Sequence, residues 1–564
     1  MKKIPQLKPA DRRLVRGYAP LLLAVAAFVA VTATVPTVAP QQNVALAADA
    51  AVAGTATGGV DPATVPGAAV AVPGAPAPAA PGAPGTAPAP GAPAAGGHPA
   101  AGSPVKACKG PQVPNDPYSP PCAAFSGSNG GATSRGVSDK EIVLTYMNPT
   151  DGSKSQDEQI AAAIGGFNSA IFPETYAQMI GTYQNLVAYF NKHFQFYGRK
   201  LVLKVYDGQE DGLGTNQSTV NADALKVAGS IKAFAEINAT NLPYAAALSQ
   251  QHVVNFGNLY ASDQFYRANA PYSWTYGADC TQMANDLAAL ATKGLAKRPA
   301  AWSGGGVSKS DQRRFAVIAP DLPSYQQCAS TLIDAMKSAG TPPTTVIAYP
   351  FDAARASSIA QNMTQRIIND KATTLLCLCD PLSQLLISNN LANSNYLPEF
   401  FDAGIAGLET DVFGQQMNQK AWAHATTLNS QSQVVGKYGS TFGYFAAKSV
   451  DPKAFVVNEV DMIYLHLYQL ALGIQLAGPQ LTPETFARGL ASYRGAQGPY
   501  GPLGWSVGGK ATFSAAHSFR LQWWDPTATS GYDAKKGAWQ ELPTWYSGAT
   551  LPAGEPALFP NGTK

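Results

Sequence analysis

The chain has 564 residues, 46% hydrophobic and 13% charged, with 53 Gly, 44 Pro and 6 Cys and a net charge of +3. A charged share about half the usual quarter excludes a charged disordered chain and a coiled coil, and about 150 residues per domain allows three or four domains. The positive excess lies in residues 1–16, where Lys2, Lys3, Lys8, Arg12, Arg13 and Arg16 face only Asp11; the remaining 33 basic and 35 acidic residues leave no electrostatic footprint for nucleic acid or an anionic membrane.

After the basic start comes an apolar run over 21–35, bracketed by Pro20 and Pro36, and then Ala45-Leu46-Ala47-Ala48. This is the pattern of a secretory signal peptide over 1–48. Roughly 20 apolar residues are needed to span a bilayer, so retention as an anchor is the weaker alternative. No cysteine follows the run before Cys108, so no lipid anchor is expected. The product is expected to be exported to the periplasm, the cell envelope or the medium.

Residues 49–105 are expected to form a disordered spacer. Within 71–100 there are 12 Ala, 9 Pro and 6 Gly, which cannot bury enough apolar surface to offset chain entropy. An N-terminal extension over 106–135 follows, in which Cys108 and Cys122 enclose a Pro-rich loop. A local disulfide between them would supply the order that packing cannot. Cys280, Cys328, Cys377 and Cys379 allow three pairings. Cys377 and Cys379, two apart, point to one face if they lie in a strand. They do not form a CxxC pair, and the spacing does not suit zinc. No metal and no cofactor is expected.

From residue 137 short apolar runs alternate with amphipathic ones. Strands are expected over 141–147, 201–206, 231–237 and 253–256, with helices over 182–193, 219–227 and 243–251 between them. A second series has strands over 315–319, 345–349 and 373–379 and helices over 281–293, 325–338, 357–369 and 382–391. A long helix over 460–475, another over 483–493, and Gly- and aromatic-rich strands over 503–514, 518–526 and 537–543 close the chain. Nearly continuous apolar strands separated by helices imply parallel sheets covered on both faces, hence an α/β fold with two doubly wound lobes. The expected division is 136–275 for the first part of lobe 1, 276–425 for the first part of lobe 2, and 426–564 returning through both.

Gly136-Val137-Ser138-Asp139-Lys140-Glu141-Ile142 resembles the opening of the type I periplasmic substrate-binding proteins, in the leucine/isoleucine/valine-binding-protein-like branch. Phe190-Asn191-Lys192-His193, Tyr197-Gly198-Arg199-Lys200-Leu201 and Tyr206-Asp207-Gly208-Gln209-Glu210-Asp211 are similar to the next family segment, and Gly537-Ala538-Trp539 to its closing turn and strand. The resemblance implies two lobes joined by a hinge with chain crossovers, and capture of a small solute for a membrane ABC permease by a monomer. The sequence departs from the family in extra residues over 155–180, in a Gly/Ser-rich loop over 299–314, and in Asn238-Ala239-Thr240-Asn241, where amino-acid binders carry small hydroxyl residues near a Gly.

Doubly wound lobes place their sites at the carboxyl ends of strands. The candidate ligand-binding residues are therefore Asn148 and Thr150 after the first strand, Asn238, Thr240 and Asn241 after the third, Tyr260 after the fourth, and Trp274 and Tyr276 at the crossing. From lobe 2 come Asp321, Tyr325, Asp380 and Asp402. Amides, hydroxyls and carboxylates would orient a ligand while aromatics supply contact area. Asn and Asp in such places also serve as turn residues and helix caps, and aromatics as core. The reading is an exported binding protein for an amino-acid-like, amide or aromatic compound, and not an enzyme, since GxSxG, HExxH and phosphate-loop motifs are missing and the six histidines are scattered. The alternatives are a sensory module of the same fold, a secreted α/β hydrolase, and a wall-associated surface protein.

Overall fold

A computed structural model describes residues 109–148, 174–209, 214, 216–239, 241–257, 261–352, 355–404, 408–430, 442–458, 460–507 and 510–563. The expected signal peptide and spacer, Cys108, most of the extra material over 155–180, Thr150, Thr240 and Tyr260 lie outside these residues. Among the described residues no helix is long and apolar enough to cross a membrane.

Lobe 1 begins with β1 (Glu141–Asn148), α1 (Tyr176–His193) and β2 (Lys200–Asp207), and β1 and β2 pair in parallel along their whole length. The helix starts six residues before the apolar spacing shows it. Thr175 caps the Gln178 N–H and the Gln178 side chain caps back, a capping box that fixes the start. Then come α2 (Gln217–Leu225), β3 (Ala235–Glu236), α3 (Leu242–Gln250), β4 (Val254–Phe256), α4 (Asp263–Ala268) and β5 (Ser273–Trp274). The strand expected over 231–237 shrinks to two residues. A π-helical turn extends α2 through Ile231, and Lys232, left-handed at φ 57°, reverses the chain before it can pair. The parallel sheet has the order β2-β1-β3-β4-β5. Gly136, at a positive φ of 72°, has no room for a side chain, since a Cβ there would stand 2.2 Å from the Phe234 amide nitrogen.

Lobe 2 comprises α5 (Cys280–Ala289), β6 (Gly304–Gly305), β7 (Phe315–Pro320), α6 (Pro323–Ser338), β8 (Thr345–Tyr349), α7 (Ala356–Asn369), β9 (Thr374–Cys377), α8 (Pro381–Asn393), β10 (Tyr396–Leu397), β11 (Glu399–Asp402), α9 (Asp411–Gln416), α10 (Gln419–Trp422) and β12 (Ala425–Asn429). Its parallel strands stand in the order β12-β11-β9-β7-β8. Counted within the lobe this is the order of lobe 1, with the first strand between the second and third. The Gly/Ser-rich loop is anchored rather than loose. Trp302 is buried against Phe401 and Phe559 under the Arg313 guanidinium, which forms a bidentate pair with Glu399 at 2.8 Å for both contacts. Thr374 and the Trp302 N–H also donate to Glu399, so this buried charge is fully partnered.

The chain then returns to lobe 1 as α11 (Phe442–Val450), α12 (Val460–Ala477) and α13 (Pro483–Ser492), and forms two small hairpins, β13 (Ala496–Gly498) with β14 (Gly501–Leu503) and β15 (Ser506–Val507) with β16 (Lys510–Ala511). Buried on nearly every side, α12 is apolar around most of its circumference. Finally β17 (Arg520–Thr529) joins lobe 2 antiparallel to β12, and β18 (Lys536–Glu541) pairs with β17. The extension at the N-terminus packs on lobe 1 through Tyr118, whose hydroxyl donates to the Gly501 carbonyl at 2.7 Å and accepts from the Tyr500 N–H at 2.9 Å.

Candidate functional site

Three stretches cross between the lobes: β5 to α5, β12 to α11, and β16 to β17. The first and third run side by side, with the Thr275 N–H donating to the Phe513 carbonyl at 3.0 Å and Ser514 donating to Asp279 at 3.0 Å. The lobes also touch through the side chains of Gln264 on α4 and Gln327 on α6, and through Tyr532, which donates to Asn458 at 2.8 Å. A disulfide from Cys280, the first residue of α5, to Cys328 on α6 fixes the crossing to lobe 2.

Each sheet presents the carboxyl ends of its strands beside a reversal of strand order, the position where loops diverge and leave a crevice. In lobe 1 this is the gap between β1 and β3, whose ladder ends at Thr145 and Glu236. Side chains then take over. Glu236 Oε1 accepts from the Met147 N–H at 3.2 Å and the Asn238 N–H at 2.9 Å, and Asn238 Nδ2 donates to the Met147 carbonyl at 2.9 Å. Glu236 Oε2 accepts from the Tyr244 hydroxyl at 3.4 Å, which shares a 2.6 Å hydrogen bond with Tyr206. Burial drives the Glu236 carboxyl up to about 8, against the opposing pull of these hydrogen bonds. At neutral pH it is predominantly a neutral acid that holds two loop ends together. Gly257 closes the same edge, with a φ of 117° and its backbone against that of Ala239.

In lobe 2 the reversal lies between β7 and β9. Asp380 caps α8, accepting from the Ser383 N–H at 2.9 Å and the Tyr349 hydroxyl at 2.6 Å. Tyr325 is held protonated by burial and by the neighbouring Asp380 carboxylate.

The remaining sequence candidates divide by what they touch. Asn148 Nδ2 donates to Asp207 at 2.9 Å, bracing β1 against β2, while its Oδ1 has no partner among the described residues. Asn241 caps α3 at the Tyr244 N–H, and Asp402 accepts from the Gly404 N–H at 2.8 Å. Asp321 is exposed. Trp274 and Tyr276 are each 2% exposed: Trp274 packs on Phe486 and Phe513 and donates to the Pro271 carbonyl, and Tyr276 meets His466 edge to face. Their rings are engaged in core and hinge. The structure thus groups Asn148, Asn238 and Asn241 at the carboxyl edge of lobe 1, and Asp321, Tyr325, Asp380 and Asp402 at that of lobe 2.

Sequence reasoning missed Glu236, its tyrosine partners and Tyr349. A lone carboxylate inside Ala233-Phe234-Ala235-Glu236-Ile237 was the visible signal for Glu236. Cys377 pairs with Cys379, and Cys122 is disulfide-bonded.

No protein-family model and no curated protein matches the chain. Solved structures do. A solute-binding protein of an ABC transporter from R. palustris, in complex with 4-hydroxybenzoate, superposes with a TM-score of 0.50 at 12% identity over 72% of this chain and 97% of that one. A solute-binding protein of an ABC transporter from Rhodopseudomonas palustris BisB5, in complex with 3,4-dihydroxybenzoic acid, gives 0.50 at 11% identity over 73% and 98%. The chain has the fold of the type I periplasmic binding proteins.

Proposed function

We propose that this protein is an exported solute-binding protein that captures a small organic molecule between its lobes and presents the closed form to a membrane ABC permease. The observation that carries the reading is the repeated strand order: two sheets built alike, joined by a paired crossing, each bringing its reversal point to its carboxyl edge. A ligand touched by both walls gains contacts available only when they approach, so binding shifts the population towards closure. Asn148, Asn238 and Asn241 supply amide donors and acceptors from lobe 1. Asp321, Tyr325, Asp380 and Asp402 supply carboxylates and a phenol from lobe 2; Thr150, Thr240 and Tyr260, which the sequence sets after strands of lobe 1, would add hydroxyls. Amide, amino-acid-like and aromatic ligands suit that lining, and the two similar structures hold hydroxylated benzoates. The same chemistry gives no reason to assign a catalytic nucleophile.

Thermal-shift screening against 4-hydroxybenzoate, 3,4-dihydroxybenzoate, leucine, amides and polyamines, followed by small-angle scattering with any hit, tests the proposal. A hit should raise Tm by several degrees and reduce the radius of gyration. Flat melting curves across the panel, or a hit that leaves the scattering unchanged, would count against capture between lobes.

A further inference from the structure

The disulfide between Cys377 and Cys379 closes a very short loop, with one residue between its cysteines. The stabilisation a disulfide gives through the unfolded chain grows with the loop it closes, so this one adds little to global stability beside Cys280–Cys328, which spans 48 positions. Its effect is local. Two residues along a strand advance about 6.6 Å, whereas the Cα atoms of Cys377 and Cys379 are 5.1 Å apart. The chain is therefore drawn out of the extended form at Leu378, and β9 ends at Cys377 although the apolar sequence continues to Cys379.

The place where this happens is specific. Cys377 stands in register with Ile318 of β7 on one side and Asp402 of β11 on the other, at the reversal point of the lobe-2 sheet. The Leu378 N–H donates to the Ile318 carbonyl at 2.9 Å, and the next residue after the disulfide is Asp380, cap of α8 and partner of Tyr349. Both cysteines are buried. In lobe 1 the corresponding turn, from β3 into α3, is held to β1 by Glu236 and Asn238. Lobe 2 has a covalent clamp in that position.

We propose that the Cys377–Cys379 disulfide is a positioning element, which fixes the turn carrying Asp380 so that the lobe-2 wall of the cleft is formed before a ligand arrives. The role in binding rests on the function proposed above; the clamp itself does not.

The test compares Cys377→Ala/Cys379→Ala with Cys280→Ala/Cys328→Ala, which loses the same atoms from an equally buried disulfide. In the ligand-free proteins, removal of the short disulfide should accelerate amide exchange at least tenfold over residues 378–388, which include the capped Ser383 and Gln384 amides, leave other segments unchanged, and lower Tm less than removal of the long one. Unchanged protection over 378–388, or faster exchange spread through all of lobe 2, overturns the proposal. So does failure to fold of both the alanine pair and the Cys377→Ser/Cys379→Ser pair, because a clamp of purely local effect cannot be needed for folding. Calorimetric titration with 4-hydroxybenzoate separates the two readings. If the wild type binds it, the variant should bind at least fivefold more weakly, and equal affinity would refute a positioning role. If the wild type binds nothing in the ligand panel, the function reading fails while the exchange data still decide the clamp.

Discussion

Replacing Glu236 by Gln should abolish a specific pH dependence of stability. Glu236 is wholly buried at the end of β3, and its hydrogen-bond partners among the described residues are the N–H and O–H groups of Met147, Asn238 and Tyr244, with no cation among them. Burial raises its carboxyl from the ordinary 4.5 to about 8. Below pH 4.5 the group is protonated both folded and unfolded and contributes no slope. Between 4.5 and 8 the unfolded chain ionises first, so stability falls as pH rises, and above 8 the loss is complete. At about 1.4 kcal/mol per pH unit the total is roughly 5 kcal/mol. Gln keeps an acceptor for the Met147 and Asn238 amides, and its NH2 can donate to the Tyr244 hydroxyl once that hydroxyl donates to Tyr206 instead, so Glu236→Gln should match the wild type within about 1 kcal/mol near pH 5 and exceed it increasingly up to pH 8. Urea unfolding of both proteins at pH 5, 6, 7 and 8, followed by tryptophan fluorescence, reads the difference, and other groups cancel in it. Among these is Asp286, which burial lifts to about 7. Parallel pH profiles for the two proteins would refute the argument that Glu236 is held as a neutral acid.

Three further outcomes are expected. Tyr118→Phe leaves the Gly501 carbonyl and the Tyr500 N–H without their buried partner and should cost about 2 kcal/mol in urea unfolding; no loss would mean that the extension merely lies on lobe 1. Gly473→Ala places a Cβ 2.2 Å from the Phe486 ring between α12 and α13, and this overpacking should cost about 1–3 kcal/mol, seen as a lower Tm. His466 is fully buried with neither ring nitrogen partnered among the described residues, and burial lowers it to about 3. The unfolded chain therefore takes up the proton first as pH falls from 6.5 to 3, removing roughly 5 kcal/mol. His466→Phe should flatten that acid limb, and an unchanged limb between pH 6.5 and 4 would show that another group carries it.

The alternation of strands and helices was legible because buried parallel strands must be continuous apolar runs, as 315–319 and 374–377 are. Where chain geometry outweighed hydropathy, the reading erred. The run over 231–237 is apolar enough for a strand, yet the left-handed Lys232 leaves only Ala235 and Glu236 to pair, and the run over 373–379 is cut short by a disulfide inside it. Candidate residues at strand ends could be placed from topology alone, because the carboxyl edge is where chains must turn. Their roles could not, since a capping aspartate such as Asp380 and an exposed one such as Asp321 obey the same local pattern. Trp274 and Tyr276 show the converse case: the crossing segment threads the core, so its aromatics serve the hinge.

The same contacts limit where the lobes can move. On its lobe-1 side the first crossing is held by the Gln469 side chain donating to the Thr275 carbonyl at 3.2 Å and by the Thr275 N–H bound to Phe513. On its lobe-2 side it is held by Asp279, which caps α5 and accepts from Ser514, and one residue later by the disulfide of Cys280. Only Tyr276-Gly277-Ala278 lies between these fastenings. Along this crossing, a change in lobe angle would fall on the backbone torsions of about three residues beside the Thr275–Ser514 pairing, the geometry of a hinge rather than of sliding helices. On the proposed function, ligand contacts would need to offset chiefly the loss of torsional states at the crossings and of solvent from the two walls, which Glu236 and Asn238 brace on one side and the proposed Cys377–Cys379 clamp on the other.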